Sequence, residues 1–207
     1  DLRLISTLGF DEENVDFFAS ALDVDAAEGS VSFDVLYEIG DDYGGAIKTF
    51  SLPKELNTLK LISGRLPETA SECVLDSGSF DKSVVGGVIR LSGDNTEENL
   101  EHFSHKEYTI VGLVQSPLYI QFERGNTSLG SGRLDGFAYL TPEGFDVDYF
   151  TEVYVSFLPD YAIYSEDYDA FIGEKESVWE EFASTQARDR YERLFNEGTE
   201  KLADART

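Results

Sequence analysis

"LISGRLPETASECVLD", residues 61–76, contains the turn on which the fold depends. A short apolar stretch ends at Gly64 and Arg65, Pro67 follows within a polar link, and a second apolar stretch begins at Cys73. Proline has no backbone N–H and fixes its φ angle, so it suits the exit from a strand better than a strand interior. The pattern predicts two strands joined by a rigid corner. Such a corner fits an active-site loop, and it also fits a binding or force-transmitting domain.

The residues before this corner predict a helix followed by strands. "GFDEENVDFFASAL" (9–22) offers Asp11 as an N-cap, acids in the first turn and apolar residues at helical spacing. "SVSFDVLYEI" (30–39) changes to an alternation of apolar and polar residues, which is typical of a strand. The stretches "GGAIKTFSL" and "NTLKLIS" predict two shorter strands. The first sixty residues therefore predict a helix and then strands.

The residues after the corner predict short strands and a long final helix. "CVLD", "GVIRLSG" and "YTIVGLVQ" are brief strand patterns of the kind found in small β-rich modules. "DGFAYL" and "YFTEVYVSF" are expected to rejoin the first sheet, with one helical turn at Thr141 and Pro142 between them. From Ser165 onward apolar residues recur at helical intervals, and an interruption is expected near Gly173.

These patterns predict an α+β fold with one subdomain inserted into another. We expect an α+β subdomain formed by residues 1–70 and 136–165, a β-rich subdomain at 71–135, and a C-terminal helix at 166–207. The sequence starts without Met and ends within a helical pattern, so we expect it to be a piece of a longer polypeptide.

The final helical segment differs in charge from the rest of the chain. Between Arg188 and Thr207 five bases balance five acids, whereas the whole chain has a net charge of −25. Two acids precede a base by four residues, Asp189 before Arg193 and Glu197 before Lys201, as on exposed helices. A solvated surface helix and the start of a coiled-coil stem are both consistent with this pattern. The stem interpretation predicts that the helix leaves the domain beyond Arg188.

Composition limits the classes of partner but leaves the cellular compartment open. A net charge of −25 repels a phosphate backbone, so nucleic acid is excluded as a partner. The sequence contains no long uncharged apolar run, and its single cysteine, Cys73, permits no internal disulfide. We expect Cys73 to act as a small buried apolar residue.

Motifs for metal binding and catalysis are incomplete. His102 and His105 lie three residues apart with no third ligand close in sequence, so they predict loop histidines rather than a zinc site. Ser128 lacks the first glycine of a nucleophile elbow, because Asn126 occupies that position. In "GNTSLGSGR", Ser131 stands where a phosphate-binding loop requires lysine.

Clusters of acidic residues are weak evidence for a calcium site in so acidic a chain. Asp23, Asp25 and Glu28 form one cluster, and Asp146 and Asp148 another, but neither follows the calcium-loop pattern. We therefore expect no metal, no other cofactor and no catalytic residue.

An aromatic loop offers an alternative function. In "SPLYIQFERG" the side chains of Tyr119, Phe122, Glu123 and Arg124 can line a cleft that binds a solute, a peptide or another protein. The glycine-rich composition from Pro117 to Arg133 predicts an exposed, mobile loop.

Four stretches resemble one family. "KLISGRLPETASECVLD" is similar to a segment in the extracytoplasmic domains of FtsX-like, MacB-like ABC transporter permeases. "VVGGVIRL" resembles the family's glycine-plus-strand signature, and "YTIVGLVQSPLYIQFERGNTSLGSGRLDGFAYL" resembles its strand, loop and returning strand. "DLRLISTLGFDEENVDFF" resembles the start of such a domain. The resemblance covers most of residues 1–157.

The resemblance implies a non-catalytic extracytoplasmic domain of a membrane permease. It implies a location outside the cell membrane, flanking transmembrane helices, and a cytoplasmic ABC ATPase whose hydrolysis moves the outer domain. It implies an outer α+β layer built from both chain ends, an inserted β-rich module and, in some Gram-positive relatives, a coiled-coil extension. It also implies that Gly64, Arg65 and Pro67 form a structural corner, with Arg65 paired to a carboxylate or to carbonyl groups. The competing function is an extracellular solute- or peptide-binding module, or a hydrolase domain.

Overall fold

The computed structural model describes residues 2–158, 161–162 and 165–204. In chain order its strands and helices are β1 (Leu2–Phe10), α1 (Glu12–Ala19), β2 (Val24–Ser30), β3 (Ser32–Ile39), β4 (Tyr43–Ser51), β5 (Lys60–Gly64), β6 (Glu72–Asp76), β7 (Val88–Leu91), α2 (Glu97–Glu101), β8 (Glu107–Gln115), β9 (Gly136–Leu140), β10 (Phe150–Phe157) and α3 (Glu166–Asp204). Short 3-10 turns occupy Lys82–Val84 and Pro142–Gly144. The predicted α+β class, the turn at Pro142 and the long C-terminal helix are confirmed.

The described chain forms two compact units. Unit 1 combines the residues up to Gly29 with those from Tyr149 onward, and unit 2 comprises Ser30–Asp148. Unit 2 is therefore larger than the predicted insertion at 71–135, and unit 1 takes less of the chain than 1–70 and 136–165. The reason is strand pairing, because β3 and β4 join the sheet of the inserted strands instead of the sheet formed by the chain ends.

Unit 1 is a three-stranded sheet covered by helices. Its strand order is β1-β10-β2, and β1 runs antiparallel to β10 with Leu2 opposite Val155. The buried residues of its core are Phe10, Val15, Phe18, Val24, Val153, Val155, Phe157 and Trp179. The sequence patterns missed β1 and β2, so the chain enters unit 1 through a strand where we expected only a helix.

Unit 2 closes six strands into a ring. The order β8-β6-β9-β4-β3-β7 returns to its start because β7 pairs with both β3 and β8. β4 lies parallel to β9, and β6 lies parallel to β8. β5 lies outside the ring and pairs with β8. This closure leaves the ring without a free edge, and β5 extends the sheet at β8.

Helix α3 lies antiparallel to α1. The order of their side-chain contacts shows this, since along α3 Trp179 contacts Phe18, Gln186 contacts Asn14 and Arg190 contacts Asp11. The helix continues through Gly173, so the interruption expected there is wrong. No helix among the residues with described coordinates has the length and apolar character needed to cross a membrane.

The tail stays on unit 1 beyond Arg188. Arg190 is 8% exposed, and its Nε donates to the Leu8 carbonyl at 3.0 Å. The Asp11 carboxylate accepts from Arg190 at 2.7 Å and from Arg193 at 2.6 Å. Burial raises the pKa of the Asp11 carboxyl, but hydrogen bonds from Asn14 and Arg193 bring it below its usual value. Departure of the helix at Arg188 was therefore a wrong prediction.

The last turns of α3 carry exposed apolar side chains. Leu194, Phe195 and Leu202 are 42%, 61% and 63% exposed. These turns lie past the contacts made by Arg193, so a helix that extends from unit 1 has to begin here. A coiled-coil extension stays a prediction.

Limited proteolysis will distinguish the two halves of the tail. We expect trypsin to cleave after Lys201, which is exposed, well before it cleaves after Arg190, which is buried by Leu8 and Asp11. Mass spectrometry of the early fragments measures the order. Cleavage after Arg190 as fast as after Lys201 would contradict the observed packing.

Candidate partner-binding groove

One edge of unit 2 places the aromatic loop beside the ends of two strands. β6 and β8 are parallel neighbours, with Asp76 opposite Val114, so their carboxyl ends lie at the same edge. The chain after β8 turns there and forms an open groove of about 540 Å³. The groove is lined by Thr58, Lys60, Asp76, Gly78, Gln115, Ser116, Pro117, Tyr119, Ile120, Gln121, Phe122, Arg124 and Phe137.

A buried ion pair holds the loop against the ring. Arg124 donates from Nε and Nη2 to the two carboxylate oxygens of Asp76, at 2.5 and 3.2 Å. The side chain of Asp76 is 2% exposed and that of Arg124 is 10% exposed. Asp76 also accepts from the Gly78 N–H and the Ser79 hydroxyl, each at 2.8 Å. The guanidinium further donates to the Gln121 carbonyl, so both ends of this turn are fixed.

Aromatic stacking also stabilises the turn that this ion pair holds. The Tyr119 ring stacks on Phe137 at a centroid distance of 4.8 Å and an interplanar angle of 14°. The guanidinium carbon of Arg124 lies 5.7 Å from the Tyr119 ring centre and 5.8 Å from that of Phe137. Cation–π attraction and stacking both favour this arrangement. Tyr119 and Arg124 are therefore structural members of the groove.

Two apolar side chains project from the loop into solvent. Ile120 is 92% exposed and Phe122 is 98% exposed, and Glu123 is also exposed. The structure thus separates the four predicted loop residues into an inward pair, Tyr119 and Arg124, and an outward pair, Phe122 and Glu123. An exposed phenyl ring beside a groove is a surface that an apolar group of a partner can cover.

Backbone hydrogen bonds cross the second half of the predicted mobile loop. Asn126 and Arg133 form an isolated β-bridge, and the Leu134 N–H donates to the Gly125 carbonyl at 3.0 Å. Most residues from Pro117 to Arg133 are exposed, as expected. Their mobility stays a prediction.

Sequence analysis missed Asp76 and Phe137. Asp76 ends a strand whose other members from Cys73 to Leu75 are fully buried. An acid at the end of such a strand is a signal for a buried partner cation, because a buried carboxylate requires one. The identity of that cation, 48 residues away in sequence, has no local signal.

The corner at Gly64 brings two backbones into contact. Gly64 pairs with Gly112 and has a φ of 75°, a conformation that favours glycine. A Cβ on Gly64 would lie 2.1 Å from the Val111 carbonyl oxygen, and one on Gly112 would lie 2.5 Å from the Arg65 carbonyl oxygen. Pro67 is buried. Both glycines are therefore required where the end of β5 pairs closely with β8.

Arg65 pairs with Glu72 across this corner. Its Nη1 donates to Glu72 at 2.8 Å and to the Leu66 carbonyl at 3.0 Å, and its Nη2 donates to the other Glu72 oxygen. The Arg65 side chain is 48% exposed, so solvent weakens the pair and Arg65→Ala should cost less stability than the loss of a buried pair. The hydrogen bonds from Arg65, followed by the one from the Glu68 N–H, lower the pKa of Glu72 to about 2.

This pKa predicts a pH-dependent contribution to stability. Glu72 binds protons less readily in the folded chain, so its stabilising effect is complete above its ordinary pKa of 4.5 and is lost as the pH falls towards 2. We expect Glu72→Gln to be less stable than the wild type at neutral pH and equally stable near pH 2. Urea unfolding across this range measures the difference. Glu123→Gln, which removes an exposed charge, serves as the control, and a difference that persists at pH 2 would refute the assignment.

His102, Asp23 and Cys73, which the sequence analysis considered as candidate site residues, make contacts that stabilise the fold. The His102 ring lies against the Phe33 ring with a centroid distance of 4.1 Å and a tilt of 35°, and Asp23 forms an ion pair with Lys175 at 2.9 Å. Cys73 is 1% exposed, as predicted, and burial raises the pKa of its thiol. Within the described ranges, no group of three or more His, Cys, Asp or Glu side chains is placed to hold a metal ion.

Comparison with known proteins yields likenesses among solved structures only. No protein-family profile matches the chain, and no curated protein matches it in sequence. The chain is similar to the extracellular domain of the noncanonic ABC-type transporter YknZ from Gram-positive bacteria, with 11% identity, a TM-score of 0.48, and coverage of 75% of this chain and 76% of that one.

Two further structures have similar values. One is the periplasmic region of MacB from Actinobacillus actinomycetemcomitans, with 11% identity, a TM-score of 0.45, and coverage of 89% of this chain and 76% of that one. The other is a domain of a permease protein from Porphyromonas gingivalis, with 16% identity, a TM-score of 0.43, and coverage of 83% of this chain and 70% of that one. One of the three similar structures is an extracellular domain of an ABC-type transporter, one is a periplasmic region and one is a domain of a permease.

Proposed function

We propose that the chain is a non-catalytic extracytoplasmic domain of an ABC transporter permease. It lies on the outer side of the cell membrane between transmembrane helices and responds to a cytoplasmic ABC ATPase subunit. The sequence resemblance from residue 1 to residue 157 supports this proposal.

The observation that carries it is the union of both chain ends in unit 1. β1 pairs with β10 from Leu2 to Ile5 and again at Phe10, and α3 contacts β1 through the bond from Arg190 to the Leu8 carbonyl. Asp11 ties the start of α1 to Arg190 and Arg193 in the second half of α3. A displacement applied at either chain end therefore moves the same unit. This topology suits a domain that passes on motion received from flanking membrane helices.

The groove of unit 2 supplies a surface for an extracellular partner. The ion pair between Asp76 and Arg124 holds the turn in place, while Phe122 and Glu123 are exposed. A preformed surface binds with a smaller loss of conformational entropy than a mobile one. We assign contact with a protein or peptide partner to Phe122 and Glu123, supported by Tyr119 and Arg124.

Cysteine labelling of the full-length permease tests this function. Cys73 is buried, so the background from this domain is low, and Phe122→Cys adds one accessible thiol to it. We expect a membrane-impermeant maleimide to label this thiol in intact cells, and its labelling rate to change when the ATPase is trapped with nucleotide. Labelling only after lysis would contradict the location, and a rate that ignores nucleotide would contradict the transmission of motion.

A solute-binding module is the second candidate. The groove volume of about 540 Å³ favours it, since ligand pockets commonly have this size. Binding of a small solute by the isolated domain in calorimetry, abolished by Phe137→Ala, would favour this candidate over the permease role.

A further inference from the structure

A second groove lies in unit 1, at the end of α1. Helix α1 ends at Ala19, whereas the antiparallel α3 continues past it towards Glu166. The chain from Ser20 to Leu22 and the exposed side of α3 enclose about 450 Å³. The lining includes Phe17, Leu22, Glu174, Lys175, Val178 and Trp179.

The groove has a rigid floor and an uncovered apolar rim. Trp179 forms the floor and is 2% exposed, with its ring 5.5 Å from Phe18. Above it, Phe17, Leu22 and Val178 are 41%, 82% and 44% exposed. Phe17 is held by an edge contact with Phe182 at 6.0 Å. Three large apolar side chains thus surround one opening, which is a larger patch than isolated surface residues provide.

The charge around this opening is negative. Lys175 is the only cation in the lining, and its ammonium is paired with Asp23 at 2.9 Å and lies 5.2 Å from the Phe171 ring centre. Glu174 lines the groove, and Glu181 follows Val178 by one helical turn on α3. Both glutamates are exposed, and within the described residues no cation pairs with them. The groove therefore attracts cations.

Charge decides between the classes of occupant. A second copy of this chain would bring another −25 charges and the same acidic rim, and an anionic lipid surface would be repelled in the same way. We propose that this groove binds an amphipathic peptide segment that carries Lys or Arg beside large apolar side chains. Its apolar side chains pack on Trp179 between Leu22 and Val178, and its cations meet Glu174 and Glu181. The proposal concerns unit 1 and does not rest on the proposed transport function.

The single tryptophan makes the test direct. Because Trp179 is the only tryptophan of the chain, its emission reports on the floor of the groove alone. The probe is a synthetic amphipathic helix built only of leucine and lysine, titrated into the whole chain. We expect a saturable change in Trp179 emission that weakens as salt is added. A lysine–serine peptide of equal charge and a leucine–glutamine peptide without charge should both bind at least about tenfold more weakly.

Matched variants locate the binding. Leu22→Gln with Val178→Gln should weaken binding of the leucine–lysine peptide about tenfold. Leu194→Gln with Leu202→Gln, which changes two exposed leucines near the other end of α3, should leave it unchanged. Glu174→Gln with Glu181→Gln should weaken binding and flatten its salt dependence. Circular dichroism melting verifies that each variant folds.

Several results would overturn the proposal. Equal affinity of the groove variant and the Leu194, Leu202 variant would place the binding elsewhere. Equal affinity for the lysine–serine peptide would reduce it to nonspecific charge attraction. If analytical sedimentation shows that the chain is a dimer, and that the Leu22→Gln, Val178→Gln variant is a monomer, this face would instead bind a second copy of the chain.

Discussion

Replacing Trp179 by alanine is expected to lower the free energy of unfolding of unit 1 by about 3–5 kcal/mol. The indole is 2% exposed and contacts the rings of Phe18, Phe157 and Phe182, with centroids 5.5, 5.6 and 6.0 Å away. Its removal leaves a cavity where α3 meets both α1 and β10. A helix as long as α3 depends on such tertiary packing, so its first half should lose order as well.

Urea unfolding followed by far-ultraviolet circular dichroism measures this effect, since the variant lacks the only tryptophan. Val178→Ala is the matched control, because Val178 is adjacent in sequence but 44% exposed, and its loss should stay below about 1 kcal/mol. A similar small loss for Trp179→Ala would show that α3 is not held by this cluster. Far-ultraviolet ellipticity of the folded variant reports separately on the order of the helix.

Replacing Arg124 by alanine is expected to destabilise unit 2 by about 3 kcal/mol, near the lower end of the range for breaking a buried ion pair. The Asp76 carboxylate, 2% exposed, would lose both guanidinium bonds and keep only those from Gly78 and Ser79. A buried carboxylate without its cation is costly because water cannot solvate it. The turn at Gln121 and the ring contacts of Tyr119 would loosen at the same time.

Thermal and urea unfolding of three variants test this second prediction. Arg90→Ala is the control, because Arg90 and Glu107 form a pair whose side chains are 63% and 57% exposed, and no measurable change is expected. Arg124→Ala combined with Asp76→Asn should lose less stability than Arg124→Ala alone, since the double variant buries no unpaired charge. Equal losses in the single and double variants would mean that the guanidinium acts through packing alone.

The two predictions also separate the proposed surfaces. Trp179→Ala and Val178→Gln both change the groove in unit 1, whereas Arg124→Ala changes the groove in unit 2. Binding of a partner at Phe122 should therefore respond to Arg124→Ala and not to Val178→Gln. Binding of the leucine–lysine peptide should show the opposite pattern.

Local patterns in the sequence by themselves determined most of the helices and strands. The alternation from residue 30 to residue 39 identified β3, in which Val35, Tyr37 and Ile39 are buried. Asp11 was identified as an N-cap, and in the structure its side chain accepts from the Asn14 N–H at 2.9 Å. These features depend on residues within a few positions of each other, so a short window of sequence contains all of their physics.

The edges of the two units were decided by pairing between distant residues. β4 lies parallel to β9, with Ile47 opposite Gly136, and this pairing places the chain from Ser30 onward in unit 2. β1 and β2 become strands by pairing with β10 on either side, although neither stretch was recognised alone. Strand formation depends on the neighbour that supplies the hydrogen bonds, and a local pattern does not name that neighbour.

Charged residues show most clearly which features a local sequence pattern predicts and which depend on tertiary structure. The balanced charges after Arg188 correctly indicated a helix, but they also suggested that it was free of the domain. Tertiary structure buries Arg190 instead, because the Leu8 carbonyl and the second oxygen of the N-cap Asp11 lie where its guanidinium reaches them. Asp76 and Arg124 likewise lie together because β6 and β8 are paired. The sequence determined which charges exist, and the fold alone decided which of them lose their water and need a partner.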